Sequence, residues 1–331
     1  MFFGETLSLF VALSWTATAL FAEVASKRIG SLPLNITRMV MSLLLLAVTL
    51  WLTMGTPFPR FADAAAWRWL LLSGVVGYVI GDFCLMQGYI LIGSRIGQLF
   101  MTLSAPTAAI MGRLLIGEQM SSLAILGMCV TLTGIGMSIL SKRDPVAGST
   151  DHTPHLKLSL PKKGIAYASM AGICQGFGLV LSKIGLEHYN AALLAEGLDL
   201  HAPLADALIP MPLYISVPFA STMIRAAMGL AGFTLLLFLF NKDAVEKLRH
   251  AVSDRKAMWC VFGATIFGPF VGVSMSLLAT MYTSTGIAQT LFALTPILII
   301  APAAWLFHQR VTPREIVGAV ISVAGVSLFF I

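Results

Sequence analysis

The sequence predicts an all-α membrane protein of ten transmembrane helices, built as two inverted five-helix repeats. Three observations predict it. The first is composition: 57% of the 331 residues are hydrophobic and 11% are charged, less than half the charged share of about 25% in a soluble domain. The second is spacing, because the charges cluster between apolar runs long enough to cross a bilayer core, which takes roughly 20 residues. The third is internal similarity between the two halves of the chain.

Ten apolar runs follow in order. The first five cover 6–26, 32–54, 69–92, 96–112 and 120–140. A polar linker at 142–163 holds Pro145, Gly148, Asp151 and Pro154 and must leave the bilayer. The sixth and seventh runs cover 164–182 and 216–240. The stretch 257–307 has no Asp, Glu, Lys or Arg over its 51 residues. It is too long for one helix and suits two, with a turn expected near Thr283, Ser284, Thr285 and Gly286. The tenth run begins near Pro313. The runs are about twice the length of a barrel strand and do not alternate apolar with polar, so helices are expected rather than a β-barrel. No Lys or Arg precedes the first run, which reads as a span and not as a cleaved signal.

The halves align at several positions. Ser26-Lys27 matches Ser182-Lys183, Arg38 matches Arg225, and Gly97-Gln98 matches Ala288-Gln289. Ala105-Pro106 matches Thr295-Pro296 with a one-residue slip, and Leu126-Gly127 with Gly134 matches Val317-Gly318 with Gly325. An odd number of spans per unit inserts the second copy upside down, the inverted-repeat plan of many secondary transporters. The expected units are 1–141 and 164–331. The second unit carries an insertion at 186–215, in which residues 191–198 read as a short amphipathic surface helix and the whole as a decorative loop or a lid.

The formal net charge of +6 does not point to nucleic acid, since the basic residues sit in short loops and have no interleaved aromatics. It bears on topology instead. Lys27, Arg28, Arg95, the linker and the segment 242–256 outweigh Arg60, Arg68 and Arg113, and the positive-inside rule puts the linker in the cytoplasm. Cys84, Cys129, Cys174 and Cys260 stand in apolar stretches without a CxxC pair, as small hydrophobes. His152 and His155 lack partners at ligand spacing, so no metal or other cofactor is expected.

Asp82 is the foremost candidate for function. It lies 14 residues after Arg68 and 13 before Arg95, roughly 20 Å from either, near the bilayer midplane. A carboxylate there costs at least about 3 kcal/mol and must face the bundle interior, protonated or paired. Its role is read as proton coupling or recognition of a cationic or hydrogen-bonding substrate, with a structural buried acid as the alternative. The matching position in the second copy is near Val273. Helical spacing puts Tyr78 and Tyr89 on the Asp82 face, beside a packing seam of Gly74, Gly77, Gly81 and Gly88. Gln98 and Gln289 are repeat-matched amides suited to a central site, with interhelical bonding as an equal alternative. Gln175, among Gly172, Gly176 and Gly178, makes the sixth run polar and pliable, and Trp15 stands as a cavity wall or a packed interior residue. Pro106 and Pro296 are expected to bend runs four and nine. Arg38 and Arg225 each stand 16 residues from one polar helix end, about 24 Å along the axis, and are read as interfacial anchors that snorkel. Glu23 and Lys27 are spaced to pair.

Two five-helix units, the Trp of Ala12-Leu13-Ser14-Trp15, and Lys27 with Arg38 resemble the drug/metabolite transporter superfamily, and its EamA-like ten-helix members in particular. Pro106, Gly117-Glu118, Gly127 and Gly134 are similar to the end of the EamA unit; the second copy keeps Pro296, Gly318 and Gly325 but has His308-Gln309 near the Glu118 position. The resemblance implies a central cavity lined mainly by spans one, three, four, six, eight and nine, and both ends of the chain in the cytoplasm, the reverse of the charge rule. The expected function is a secondary transporter of small, amino-acid-like or drug-like metabolites, an exporter in a bacterial inner membrane. No Walker A loop supplies direct ATP drive. A membrane enzyme acting on lipid-linked substrates is disfavoured for want of a His, Asp or Arg cluster in the loops. A non-transporting scaffold would lack a central cavity.

Overall fold

The computed structural model describes residues 2–139, 161–300, 302 and 313–328. Most of the linker, with His152 and His155, and also His308 and Gln309, fall outside the described residues. Every described element is helical. In order they are α1 (Phe3–Ile29), α2 (Ser31–Met54), α3 (Ala64–Gly74), a π-helical stretch (Val75–Asp82), α4 (Phe83–Met101), α5 (Ser104–Ile116) and α6 (Ser122–Ile139). Then come α7 (Lys162–Ala195), α8 (Leu213–Phe240), α9 (Ala244–Ser253), α10 (Arg255–Thr265), a second π stretch (Ile266–Phe270), α11 (Val271–Thr280), α12 (Thr285–Phe292), α13 (Thr295–Leu298) and α14 (Pro313–Ser327). Seven continuous helical segments are long and apolar enough to cross a membrane. Three shorter apolar segments, Ser122–Met137, Thr285–Leu298 and Ile316–Ser327, stand where the fifth, ninth and tenth runs were expected.

Local chemistry sets the boundaries. Asp63 and Asp254 cap α3 and α10 by accepting from the N–H groups of Ala66 (2.7 Å) and Ala257 (3.0 Å). The Ala257 N–H, with the Arg28 guanidinium beside it, holds the Asp254 carboxyl below the usual carboxylate range. Ser284 caps α12, which puts the break between α11 and α12 in the expected turn. Gly55 and Gly117 end α2 and α5 in the left-handed conformation at φ 72° and 68°, where a Cβ would be strained. Within the helices, hydroxyls such as Ser8, Thr16, Thr37 and Thr222 donate to carbonyls four residues back, so polar side chains enter apolar spans already satisfied. The outward faces carry Leu44, Trp51, Leu114, Phe238, Leu239 and Phe240 exposed, as a hydrocarbon surround requires.

The two halves pack on each other more than on themselves. α1 lies against α10 and α11, α2 against α8, α3 and the first π stretch against α7, α5 against α12, and α6 against α14. Glycines make the closest approaches. A Cβ on Gly134 would stand 2.4 Å from Ser322 Oγ and 2.6 Å from the Gly318 carbonyl; one on Gly325 would stand 2.5 Å from Thr131 Oγ1 and 3.0 Å from the Gly127 carbonyl. The contact is reciprocal: Gly134 faces Gly318, and its repeat counterpart Gly325 faces Gly127. The expected seam on the third run is present but divides. Gly74 meets Arg225 and Met228 of α8, while Gly81 meets Cys174 and Gln175 of α7 and Gly88 meets Ala168.

Three features depart from the sequence expectations. Residues 191–198 do not form a separate surface helix: α7 continues unbroken from Lys162 to Ala195, about 50 Å of helix, because Tyr189 and Leu193 are fully buried and extend its packed face. The rest of the insertion folds back on the end of α2, with the Ile209 N–H on the Leu52 carbonyl (2.8 Å) and Asp206 on Arg60 (2.5 Å). Gly172 and Gly176 do not loosen α7; their absent Cβ atoms admit the carbonyls of Phe100 and Ser104, each 2.4 Å from where a Cβ would stand. Finally, the basic segment after α8 contains α9, whose Ala244, Leu248 and Ala251 pack inward while Lys242, Lys247 and Arg249 face out.

Replacing Gly134 by Leu is expected to lower the thermal unfolding midpoint of the detergent-purified protein, through overpacking of about 1–3 kcal/mol. Gly136→Leu, two residues on where a Cβ meets nothing within 4 Å, is expected to leave it unchanged or raised. Equal destabilisation by both would remove the close helix approach as the cause.

Candidate functional site: a central cavity with a buried ion pair

A cavity opens between the halves. Both halves line it. α1 supplies Trp15 and Thr18; α4 supplies Leu85, Met86, Tyr89, Gln98 and Met101; α5 supplies Ser104. From the second half come Gln175 and Leu179 of α7, Val273 and Ser276 of α11, and Gln289, Phe292 and Thr295 around the break between α12 and α13. These are the six spans that the resemblance implied. Two more contribute: Arg38 from α2 and Arg225 from α8.

Asp82 ends the first π stretch and is 5% exposed. Arg38 Nη2 donates to its Oδ2 in a short contact, and Gln175 Nε2 donates to its Oδ1 at 2.7 Å and also to the Gly77 carbonyl at 3.1 Å. One carboxylate therefore ties α2, the third span and α7. Gln98 Nε2 donates to Tyr89 Oη at 2.5 Å. Ser104 Oγ donates to Gln289 Oε1 at 3.2 Å, and Gln289 Nε2 donates to the Gln175 carbonyl at 3.4 Å. Asp82, Tyr89, Gln98, Gln175, Gln289 and Trp15 thus all reach the cavity, and Val273 stands on its wall as the apolar counterpart of Asp82.

Tyr78 does not line the cavity. The wider π turn rotates it away from the Asp82–Tyr89 face toward α8, where its ring lies 5.1 Å under the Arg225 guanidinium and its hydroxyl has no partner among the described residues. Arg38 and Arg225 are not interfacial anchors. They are 2% and 4% exposed and face inward. α8 begins at Leu213, which puts Arg225 twelve residues, about 18 Å, from that end and so near mid-helix. For Arg38, a buried carboxylate is nearer than water. Their repeat match was the signal that could have placed them, since two symmetry-related charges in apolar helices mark a shared interior position.

Spans four and nine are broken at matched places. α4 gives way to α5 at Thr102–Leu103, and α12 to α13 at Ala293–Leu294, each just ahead of Pro106 or Pro296, as those prolines led one to expect. A glutamate holds each span's N-terminus. Glu23 accepts from Ser94 N–H (3.2 Å) and Ser94 Oγ after the Gly93 kink, and from Lys27 Nζ at 2.5 Å. Glu118 accepts from Thr285 N–H (2.9 Å), Thr285 Oγ1 (2.5 Å) and Lys183 Nζ (2.6 Å). Each carboxylate sits at the positive end of a helix. The sequence showed only the Glu23–Lys27 spacing.

A helical membrane bundle with a polar cavity between its halves and broken helices beside it has the architecture common among secondary transporters. The chain belongs to the EamA-like transporter family, whose model matches residues 2–140 and 214–331. Curated proteins yield no match. Solved structures share the fold; one, described only as "Crystal structure of protein", superposes with a TM-score of 0.62 at 13% identity over 98% of this chain and 95% of that one.

Asp82→Asn is expected to destabilise the purified protein by about 3 kcal/mol or more, because Arg38 is left buried and unpaired. Adding Arg38→Gln should return much of that loss, a coupling read in a double-mutant cycle of unfolding midpoints. Additive losses would mean that the two side chains are energetically independent.

Proposed function

We propose that this protein is a secondary transporter of small metabolites, working by alternating access between two inverted five-helix repeats, residues 1–141 and 164–331, across ten spans. The observation that carries this reading is the reciprocal packing of the halves around one polar cavity. Major contacts of the first unit with the second have their mirrors: α1 on α10 with α3 on α7, and Gly134 on Gly318 with Gly325 on Gly127. Such symmetry gives two nearly equivalent tilts of one half on the other. The glutamate ties at opposite ends of the cavity, Glu23–Ser94 and Glu118–Thr285, suit clasps that open in turn. The insertion at 186–215 folds as a cap over the end of α2 beside the second clasp. The transporter exports its substrate from a bacterial cell across the inner membrane.

Asp82 is the coupling group in this mechanism. Its surroundings hold Arg38, Arg225, Tyr78 and Tyr89 as titratable neighbours. While ionised, it occupies Arg38. A proton on Asp82, or a substrate group that takes its place, releases the guanidinium and loosens the tie between α2 and α7. Gln98, Gln175 and Gln289 read substrate donors and acceptors, and Trp15 and Tyr89 wall the apolar part.

Metabolite profiles of medium and cell extract, from cells expressing the wild type, the Asp82→Asn form or an empty vector, test this. A small set of compounds raised in the medium by the wild type alone is expected, with a pH dependence that the variant loses. Unchanged transport and pH dependence in a folded Asp82→Asn protein would reject the coupling role. A membrane-inserted wild type that shifts no compound would reject the transporter.

A further inference from the structure

The cavity holds two guanidiniums and one carboxylate. Asp82 is committed to Arg38 and Gln175. Arg225 lines the same cavity, is 4% exposed, and makes no ion pair among the described residues. Its one described contact is the face of Tyr78; Asp82, already held by Arg38, acts on it only through space, and its Nε has no hydrogen-bond partner among the described residues. A buried, unpaired guanidinium is costly, and among the described residues its neighbourhood supplies no second acid. The Arg225 guanidinium is therefore placed to take an anion that arrives from outside the chain.

Charge fixes how much. With Arg38 neutralised by Asp82, one positive charge remains, which a single carboxylate balances and a phosphate dianion overshoots. The planar guanidinium fork matches a carboxylate in bidentate geometry. A cationic group finds no free acid and is repelled by Arg225. Beyond the guanidinium the larger part of the wall is apolar, from Trp15, Leu85, Met86, Leu179 and Phe292, beside a polar part formed by Gln98, Gln175 and Gln289, so the body of the ligand is largely apolar or aromatic. We propose that the cavity binds monocarboxylates with an apolar or aromatic body, the carboxylate seated on Arg225. That such a compound is also the cargo rests on the transporter reading above. Export suits it, since an inside-negative membrane potential drives a monovalent anion outward.

Four probes of similar body separate the alternatives on the full-length protein in lipid nanodiscs at neutral pH: 3-phenylpropionate, 3-phenylpropanamide, 3-phenylpropylamine and phenyl phosphate. The readout is the concentration-dependent rise of the unfolding midpoint. The expected result is stabilisation by 3-phenylpropionate, none by the amide or amine, and binding of phenyl phosphate at least about tenfold weaker. In Arg225→Gln, 3-phenylpropionate affinity should fall about 10- to 100-fold, as for loss of a charged hydrogen bond. Arg225→Lys should retain an intermediate affinity. Should Arg225→Gln fail to fold, the order of the four probes on the wild type decides. No stabilisation by 3-phenylpropionate, equal binding of the amide or the amine, preference for phenyl phosphate, or undiminished binding in Arg225→Gln would each overturn the proposal. Labelled 3-phenylpropionate in proteoliposomes separates the two readings. Binding without protein-dependent movement would retain the anion site and reject transport of this class, whereas movement of the amine or amide without 3-phenylpropionate binding would retain the transporter and reject the anion site.

Discussion

Arg38 and Asp82 are 44 residues apart in the chain and meet in the interior of the bundle, on the wall of its cavity. Neither charge is tolerable there alone, since each would cost several kcal/mol if unpaired. Their contact therefore constrains more than two side chains. α2 must present Arg38 inward, the third span must turn its π stretch so that Asp82 faces α2, and α7 must bring Gln175 to the second carboxylate oxygen. The cavity lies beside this junction, and α1, α5, α8, α11 and α12 complete its wall. Tyr78 is displaced from that space by the same wide turn and becomes the platform for Arg225.

Backbone proximity supports this polar centre. Glycines at 134, 172, 176, 178 and 325 admit carbonyls or neighbouring backbone at distances that a Cβ would forbid. Lipid gives no hydrophobic drive for one helix to seek another, so association depends on such close packing and on hydrogen bonds. The packing is concentrated between the halves, α6 on α14 and α3 on α7. The hydroxyls within these helices are satisfied by carbonyls of their own helix, so they make no demand on the neighbouring face.

The two broken spans connect the centre to the ends. Spans four and nine each start under a glutamate and break ahead of a proline beside the cavity, where Gln98 and Gln289 project. In the proposed mechanism, a shift of a substrate group against either amide is coupled through one short helical segment to a charged clasp at the membrane edge. Lys27 and Lys183, matched in the repeat, complete the two clasps.

The sequence by itself determined that the chain is helical and apolar, where its runs begin and turn, that the halves resemble one another, how deep Asp82 lies, and which amides and prolines stand near the centre. Those properties follow from local composition and from distance along a helix. The sequence did not determine which way Arg38 and Arg225 face, that Tyr78 turns away from Asp82, that α7 runs on through the start of the insertion, or that Glu23 and Glu118 hold the starts of other helices. In a soluble bundle an apolar stripe marks the buried face. Here the surround is as apolar as the core, so that stripe carries no information about inside and outside. Only the tertiary contacts decide it: a carboxylate for Arg38, an aromatic face for Arg225, and a free N-terminus for each glutamate.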